Sequence, residues 1–239
     1  MTKTSMSPSG ITLLKLIGCG LMLADHVNKY WWQWRFEWIF SLGRLAMPIF
    51  VMVMAHHLAR WYGDKQICLA KGKRQIGQLV LFGTISAIPY IGLGRTGPYL
   101  EADYLPLNIL FSLALGVAVI VCFRKGTPQS WLVGIALFAI GGAVVEYGWW
   151  LLLLMFTAVA YFRQPEKLTS IALLMALMAL QVVNQNPWAV AAIVPVFLVS
   201  HYQGAIPKLP RLKWAFYLFY PVHLVLIWLV KIYGEIPYF

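Results

Sequence analysis

The sequence predicts an all-α, polytopic integral membrane protein of about nine transmembrane helices with its N-terminus in the cytoplasm. Three observations predict it. Of 239 residues, 61% are apolar and 11% charged, with a mean hydropathy of +0.72, where a soluble domain is about one-quarter charged. Apolar runs of roughly 16 to 20 residues recur along the chain, each near the length that crosses hydrocarbon as a helix. The cations then alternate between loops. Lys3, Lys15, Arg60, Lys65, Lys71, Lys73, Arg74, Arg124, Lys125, Arg163, Lys167, Lys208, Arg211 and Lys213 fall on one side, and only Lys29, Arg35, Arg44, Arg95 and Lys231 on the other. Cytoplasmic loops carry the excess of Lys and Arg, which orients the chain. The net charge of +11 is thereby a matter of topology and anionic lipid, and no nucleic-acid partner is needed to explain it.

The first span, Ile11–Lys29, carries Lys15 and the pair Asp25-His26. It lacks a small-residue cleavage site before His26, so it is expected to stay as a helix and not to be removed as a signal. Leu42–Arg60, Gly77–Gly94 and Leu107–Phe123 follow as continuous apolar segments. Trp131–Val145, Trp149–Phe162 and Trp188–His201 are short, at about 14 to 15 residues, and are expected to tilt or re-enter. Leu168–Val183 and Trp214–Lys231 complete the set. Thr96-Gly-Pro98, Asn186-Pro187 and Lys208-Leu-Pro210 read as turns between spans, and Asn184-Gln-Asn186 as a polar outer turn. Trp31, Trp32, Trp34, Trp38, Trp149, Trp150 and Trp188 gather at the outer boundary as an interfacial belt. Residues 1–239 read as one membrane domain without repeats. Cys19, Cys68 and Cys122 show no metal-ligand spacing, so neither a disulfide nor a metal is expected.

Lys15 and His26 stand eleven residues apart, hence on one helix face and about 16 Å apart along it. Charged and titratable groups inside a span are expensive and are tolerated where they face protein or water. Asp25, His26, Arg44, Asn108, Glu146 and Tyr147 all thread to the same, outer leaflet. An imidazole beside a carboxylate suits a general base, although Asp25 has a second use as the partner of Arg44 across a helix interface. Lys15 either snorkels or contacts a phosphate-bearing ligand from the cytoplasm, helped by the basic loop that runs from Arg60 through Lys71, Lys73 and Arg74. His223, about 14 Å into the last span beside Pro221, needs a partner at that depth. His56, His57 and His201 are expected near the interface. No soluble-enzyme motif is present.

The stretches Leu14-Lys15, Leu21-Met-Leu-Ala-Asp-His26, Glu37-Trp38, Gly43-Arg44-Leu-Ala-Met-Pro48-Ile-Phe50, Asn108-Ile-Leu-Phe111, Tyr147-Gly148 and Phe216-Tyr … His223-Leu resemble the TraX family in order over nearly the whole chain. That family comprises membrane proteins of conjugative plasmids that N-acetylate the pilin subunit. A charged residue followed eleven positions later by His is also similar, more distantly, to the acyltransferase-3-type membrane acyltransferases. The resemblance implies acetyl-CoA as donor, a pilin subunit as acceptor at the outer side of the bacterial inner membrane, and no metal. It implies His26 as base with Asp25 orienting it, Arg44 and Asn108 as oxyanion donors, and Lys15, Arg60, Lys71, Lys73 and Arg74 holding the nucleotide phosphates. Glu146, Tyr147 and His223 complete the set near the acceptor. The rival readings are a sugar or lipid acceptor, a small-anion transporter, or an inactive pilus-assembly scaffold.

Overall fold

The computed structural model describes residues 6–94, 107–184, 187–201, 208–210 and 212–233. Thr96-Gly-Pro98, Gln185-Asn186, Lys3, Arg95 and Arg211 lie outside the described residues, as do the side chains of Asn184, His201 and Lys213. Among the described residues eleven α-helices run in the order α1 (Pro8–Tyr30), α2 (Glu37–Gly43), α3 (Ala46–Tyr62), α4 (Lys65–Gly92), α5 (Ile109–Lys125), α6 (Pro128–Ala136), α7 (Gly142–Val144), α8 (Gly148–Arg163), α9 (Lys167–Asn184), α10 (Ile193–His201) and α11 (Lys213–Tyr233). A π-turn, Leu137–Gly141, joins α6 to α7, and a 3-10 turn, Pro187–Ala192, leads into α10. Among the described residues the sole β feature is an isolated bridge between Leu107 and Val145.

Local chemistry sets the boundaries. Ser7 accepts the Gly10 N–H at 3.0 Å and Pro8 fills the first turn, where no N–H is required, so α1 starts there. It stops at a reversal clamped by Asn28, which is fully buried, donates to the Phe36 carbonyl at 3.0 Å and accepts the Phe36 N–H at 3.1 Å. Within that reversal Gln33 and Trp34 hold φ of 49° and 65°, a conformation that costs non-glycine residues and persists only when its surroundings enforce it. Pro48 has no N–H for the Arg44 carbonyl, so the span expected as Leu42–Arg60 is broken at Arg44–Leu45 into α2 and α3.

The segment from Arg60 to Arg74 is not the loop that the sequence suggests. Asp64 caps α4 by accepting the Ile67 N–H at 3.0 Å, and the chain is helical on either side of a turn at Gly63-Asp64. Buried Cys68, Gly72, Leu79, Phe82 and Ser86 keep one inner face through the basic part and the apolar part alike. Hydropathy marks only the second part, so the helix of 28 residues, about 42 Å long, was visible as 18.

Contacts fix the directions. Taking the end where α1 begins as the near end, α1, α4 and α11 run away from it, while α3, α5 and α8 return. Lys15 meets Phe216, Gly92 lies against the Trp228 indole, and Lys231 Nζ donates to the Leu93 carbonyl at 2.7 Å. Met6 meets His56 at the near end, and Arg44 meets Asp25 at the far end. α3 sits centrally, packed by α1, α4 and α8 around Ile49, Val51, Met52, Leu58, Leu151, Leu154 and Met155. Outward faces are apolar, with Ile88 at 67%, Leu132 at 70% and Ile140 at 71% exposure, as fits a chain whose surroundings are hydrocarbon. Trp32, Trp38, Trp149, Trp150 and Trp188 stand exposed on the far-end rim.

By length and composition, four helices among the described residues are long and apolar enough to cross a membrane: Pro8–Tyr30, Glu37–Tyr62, Lys65–Gly92 and Trp214–Tyr233. The apolar helices Pro128–Val144, Gly148–Arg163, Lys167–Gln181 and Trp188–Ser200 are shorter.

Candidate active site

A cavity of about 560 Å³ runs between α1, α3, α4, α5 and α11, within the size range of small-molecule sites. At the near end its wall holds Trp61, Lys71 and Arg74, with Gln75 and Gln78 continuing the same face of α4. On α1 it is walled by Lys15, Cys19 and Met22, a stripe whose next position is His26. Among the described residues three cations line it and no carboxylate does. Lys15 Nζ stands 5.2 Å from the Phe216 ring centroid and Lys71 Nζ 5.7 Å from that of Trp61, so both ammonium groups rest on aromatic faces. Arg60 and Lys73 are exposed and lie off this wall. Successive residues on a helix diverge by about 100°, which separates Lys73 from Lys71 and Arg74.

Beyond the deep end of the cavity lie two histidines from the parallel helices α1 and α11. His26 Nδ1 and His223 Nε2 are 2.7 Å apart, with rings 8° from parallel and centroids 5.0 Å apart. His223 Nδ1 donates to the Phe219 carbonyl at 2.8 Å. Phe219 stacks on His223 at 4.7 Å and Tyr220 meets it edge-on at 5.4 Å, and both line the cavity. Met22 on α1 and Phe219 and Tyr220 on α11 are therefore the lining residues next to the pair.

The side chain against His26 is thus His223, not the Asp25 carboxylate. Asp25 Oδ2 pairs with Arg44 Nη2, while Asp25 Oδ1 and Arg44 Nε have no hydrogen-bond partner among the described residues. Gly43 makes the pair sterically feasible, since a Cβ there would run into the Asp25 side chain. Arg44 Nη1 also donates to the Tyr147 hydroxyl at 3.4 Å, and the guanidinium lies 4.7 Å over the Phe40 ring. Tyr147 adopts φ of 62° at the corner before α8. Glu146 fixes that corner through its backbone, whose N–H donates to Leu107 at 2.9 Å and whose carbonyl accepts the Ser112 hydroxyl at 2.7 Å.

Asn108 is spent on structure. Its Oδ1 accepts the Leu110 N–H at 3.2 Å as the cap of α5, and its amide donates to the Gly83 carbonyl at 2.9 Å. His56 is in the core, not at an interface: it is 2% exposed, accepts the Met6 N–H at 3.4 Å and meets Phe162 edge-on. His57 lines the cavity, stacked on Trp61. Sequence reasoning passed over Phe216, Phe219 and Tyr220. They share the face of α11 that carries His223, at spacings of seven, four and three, and this periodicity was available as a signal.

The model of the TraX protein family matches residues 11–231. A Protein TraX of Escherichia coli is 29% identical over 231 residues, covering 92% of this chain and 87% of that protein. A protein named probable fimbrial assembly protein FimC, serogroup H1, of Dichelobacter nodosus is 29% identical over 243 residues, covering 92% and 95%. A second Protein TraX, of Escherichia coli strain K12, is 26% identical over 230 residues, covering 92% and 87%. No solved structure matches the chain.

Proposed function

This chain belongs to the TraX family, and from that premise we propose that it is an acetyl-CoA-dependent N-acetyltransferase of the bacterial inner membrane. In this reading it is multi-pass, with the near end in the cytoplasm, and moves acetyl to the N-terminal amine of a pilin subunit at the far side. One observation carries the reading: a cavity lined by cations and, among the described residues, by no carboxylate starts at the near end and stops one helical turn short of the hydrogen-bonded pair of partly buried His26 and buried His223. A donor with a polyanionic head and a long arm ending in a thioester has that distribution of charge. The names of the relatives, two TraX proteins and one of fimbrial assembly, support a pilus subunit as the acceptor.

Lys71 and Arg74 hold the nucleotide phosphates, Lys15 takes the next charge inward, and the pantetheine arm follows Cys19 and Met22 toward His26. Arg60 and Lys73, off the wall, serve topology and lipid. An α-amine has a pKa of about 7.7 to 8 and is mostly protonated at neutral pH. His26 takes its proton, the nitrogen attacks the thioester carbonyl, and the C–S bond breaks as the amide forms. The departing thiolate takes that proton from His26, and the imidazole, neutral again, accepts the second proton of the acylated nitrogen and releases it to water, which leaves a neutral amide and free coenzyme A. Arg44, oriented by Asp25 and with Nε unpartnered, is the donor toward the tetrahedral oxyanion, while Tyr147 and Glu146 shape the corner beside it.

The test is mass spectrometry of a pilin N-terminal peptide incubated with the purified protein and acetyl-CoA, wild type beside His26→Ala. A gain of one acetyl group with wild type only, and coenzyme binding by both, is expected. Coenzyme bound without a modified peptide would redirect the search to a lipid or sugar acceptor. Absence of coenzyme binding, with anion flux in proteoliposomes, would replace the reading by the transporter.

A further inference from the structure

His223 lies 197 residues from His26 and has no role in the mechanism above, yet among the described residues it makes the one side-chain hydrogen bond to the proposed base. The bond on its far side fixes its protonation. A carbonyl oxygen can only accept, so the contact of 2.8 Å between His223 Nδ1 and the Phe219 carbonyl places a proton on Nδ1. In the neutral ring Nε2 then carries a lone pair and can only accept. Its neighbour at 2.7 Å, His26 Nδ1, must therefore be the N–H that donates. One tautomer of His26 remains, with the proton on Nδ1 and the lone pair on Nε2.

We infer that His223 is a positioning residue, which reads the fixed polarity of the Phe219 carbonyl and transmits it through two imidazoles so that His26 Nε2 is the basic atom. The inference rests on the acetyltransferase reading for its consequence, and on geometry alone for its content. The second nitrogen of an imidazole is set by the hydrogen bond that the first one makes, the service a carboxylate performs in a hydrolase triad. Here the carboxylate next in sequence is occupied by Arg44, and a neutral imidazole does the same work. When His26 Nε2 takes the proton of the amine, no atom need move. The Nδ1–H already points at the His223 lone pair, and that bond strengthens as its donor becomes cationic. Packing supports the assignment: His223 is 4% exposed, held between the rings of Phe219 and Tyr220, so it has little freedom to flip.

The experiment uses full-length protein in lipid nanodiscs with 15N-labelled histidine, the His26 signals being assigned by their loss in His26→Ala. Wild type should show His26 protonated on Nδ1 and bare on Nε2. His223→Leu, which removes the acceptor, should give a mixture of tautomers and a kcat for acetyl transfer lowered about tenfold or more, with the KM for acetyl-CoA unchanged. This is part of the about 10²- to 10⁴-fold that a positioned base supplies. His223→Gln puts an amide oxygen within reach of the same N–H and should recover both the tautomer and most of kcat. The inference is overturned if wild-type His26 is protonated on Nε2, or if the Leu and Gln variants transfer acetyl equally. The wild-type spectrum decides alone if His223→Leu does not fold. The expected tautomer without any acetyl transfer by wild type would leave the pair standing and remove the proposed function instead.

Discussion

The two ends of the molecule treat their cations in opposite ways. At the far end Arg44 is neutralised by Asp25, anchored to Tyr147 and laid over Phe40, at a place where the backbone accepts three left-handed non-glycine residues. At the near end Lys15, Lys71 and Arg74 face a shared cavity that no carboxylate lines among the described residues, and the Lys15 and Lys71 ammonium groups rest on aromatic faces. A neutralised cation holds a shape, and cations gathered around one cavity attract an anion. In the proposed function binding is thereby separated from chemistry along the length of α1, with the histidine pair as the boundary.

The contrast breaks most directly at that boundary. His26→Ala is expected to lower acetyl transfer by about 10³-fold, inside the range for loss of a general base. Coenzyme binding measured by calorimetry should stay within about twofold; if binding disappeared as well, the two functions would not be separate.

At the far end, Arg44→Leu leaves Asp25 buried and uncompensated, and should destabilise the protein by about 3 to 5 kcal/mol in thermal unfolding. Asp25→Leu with Arg44→Leu should return most of that stability, because a buried ion pair is replaceable by apolar groups. Transfer by the double variant should stay down by about 10²-fold, the cost of losing an oxyanion donor. Recovery of transfer along with stability would make the pair architecture only. Gly43→Ala is the milder form of the same test. Its methyl would drive Asp25 away from Arg44, at about 1 to 3 kcal/mol for overpacking, read as a lowered Tm.

The near end gives the smaller effects. Lys71→Ala and Arg74→Ala should each raise the KM for acetyl-CoA about tenfold, the worth of one charge-assisted hydrogen bond, and more steeply at low salt. Lys73→Ala, on the same helix but off the cavity, should leave KM unchanged. A similar shift from Lys73 would mean that general positive potential, and not the cavity wall, holds the donor. Labelling of Cys19 by a maleimide should be slowed several-fold by saturating acetyl-CoA, since Cys19 is the thiol that lines the cavity, while Cys68 and Cys122 lie off it.

What the sequence revealed follows from how local each feature is. The face shared by Lys15 and His26 is a property of one helix and could be read from spacing alone. So could the helical class, because membrane helices bury their backbone hydrogen bonds within the segment. The extension of α4 into Lys65–Arg74 was hidden because its cations depress hydropathy while its small inner-face residues Cys68 and Gly72 keep the helical period. The sequence offers Asp25 two partners, His26 and Arg44, and the choice between them depends on which neighbour a helix meets and not on adjacency. The partner of His26 lies on another helix 197 residues away, and no periodicity links the two. Asn108 and His56 show the same limit, since the Asn108 amide donates to α4 and His56 Nε2 accepts from Met6, contacts that only the packed bundle creates.

The parallel pairing of α1 with α11 also has a consequence for how the protein is made. His26 leaves the ribosome early and His223 late, and the cavity wall needs Phe216, Tyr217, Phe219 and Tyr220 from the same late helix. A chain still being inserted thus owns a histidine with no acceptor beside it and a groove with one side missing. In the proposed function, competence arrives only when the first described helix and the last meet.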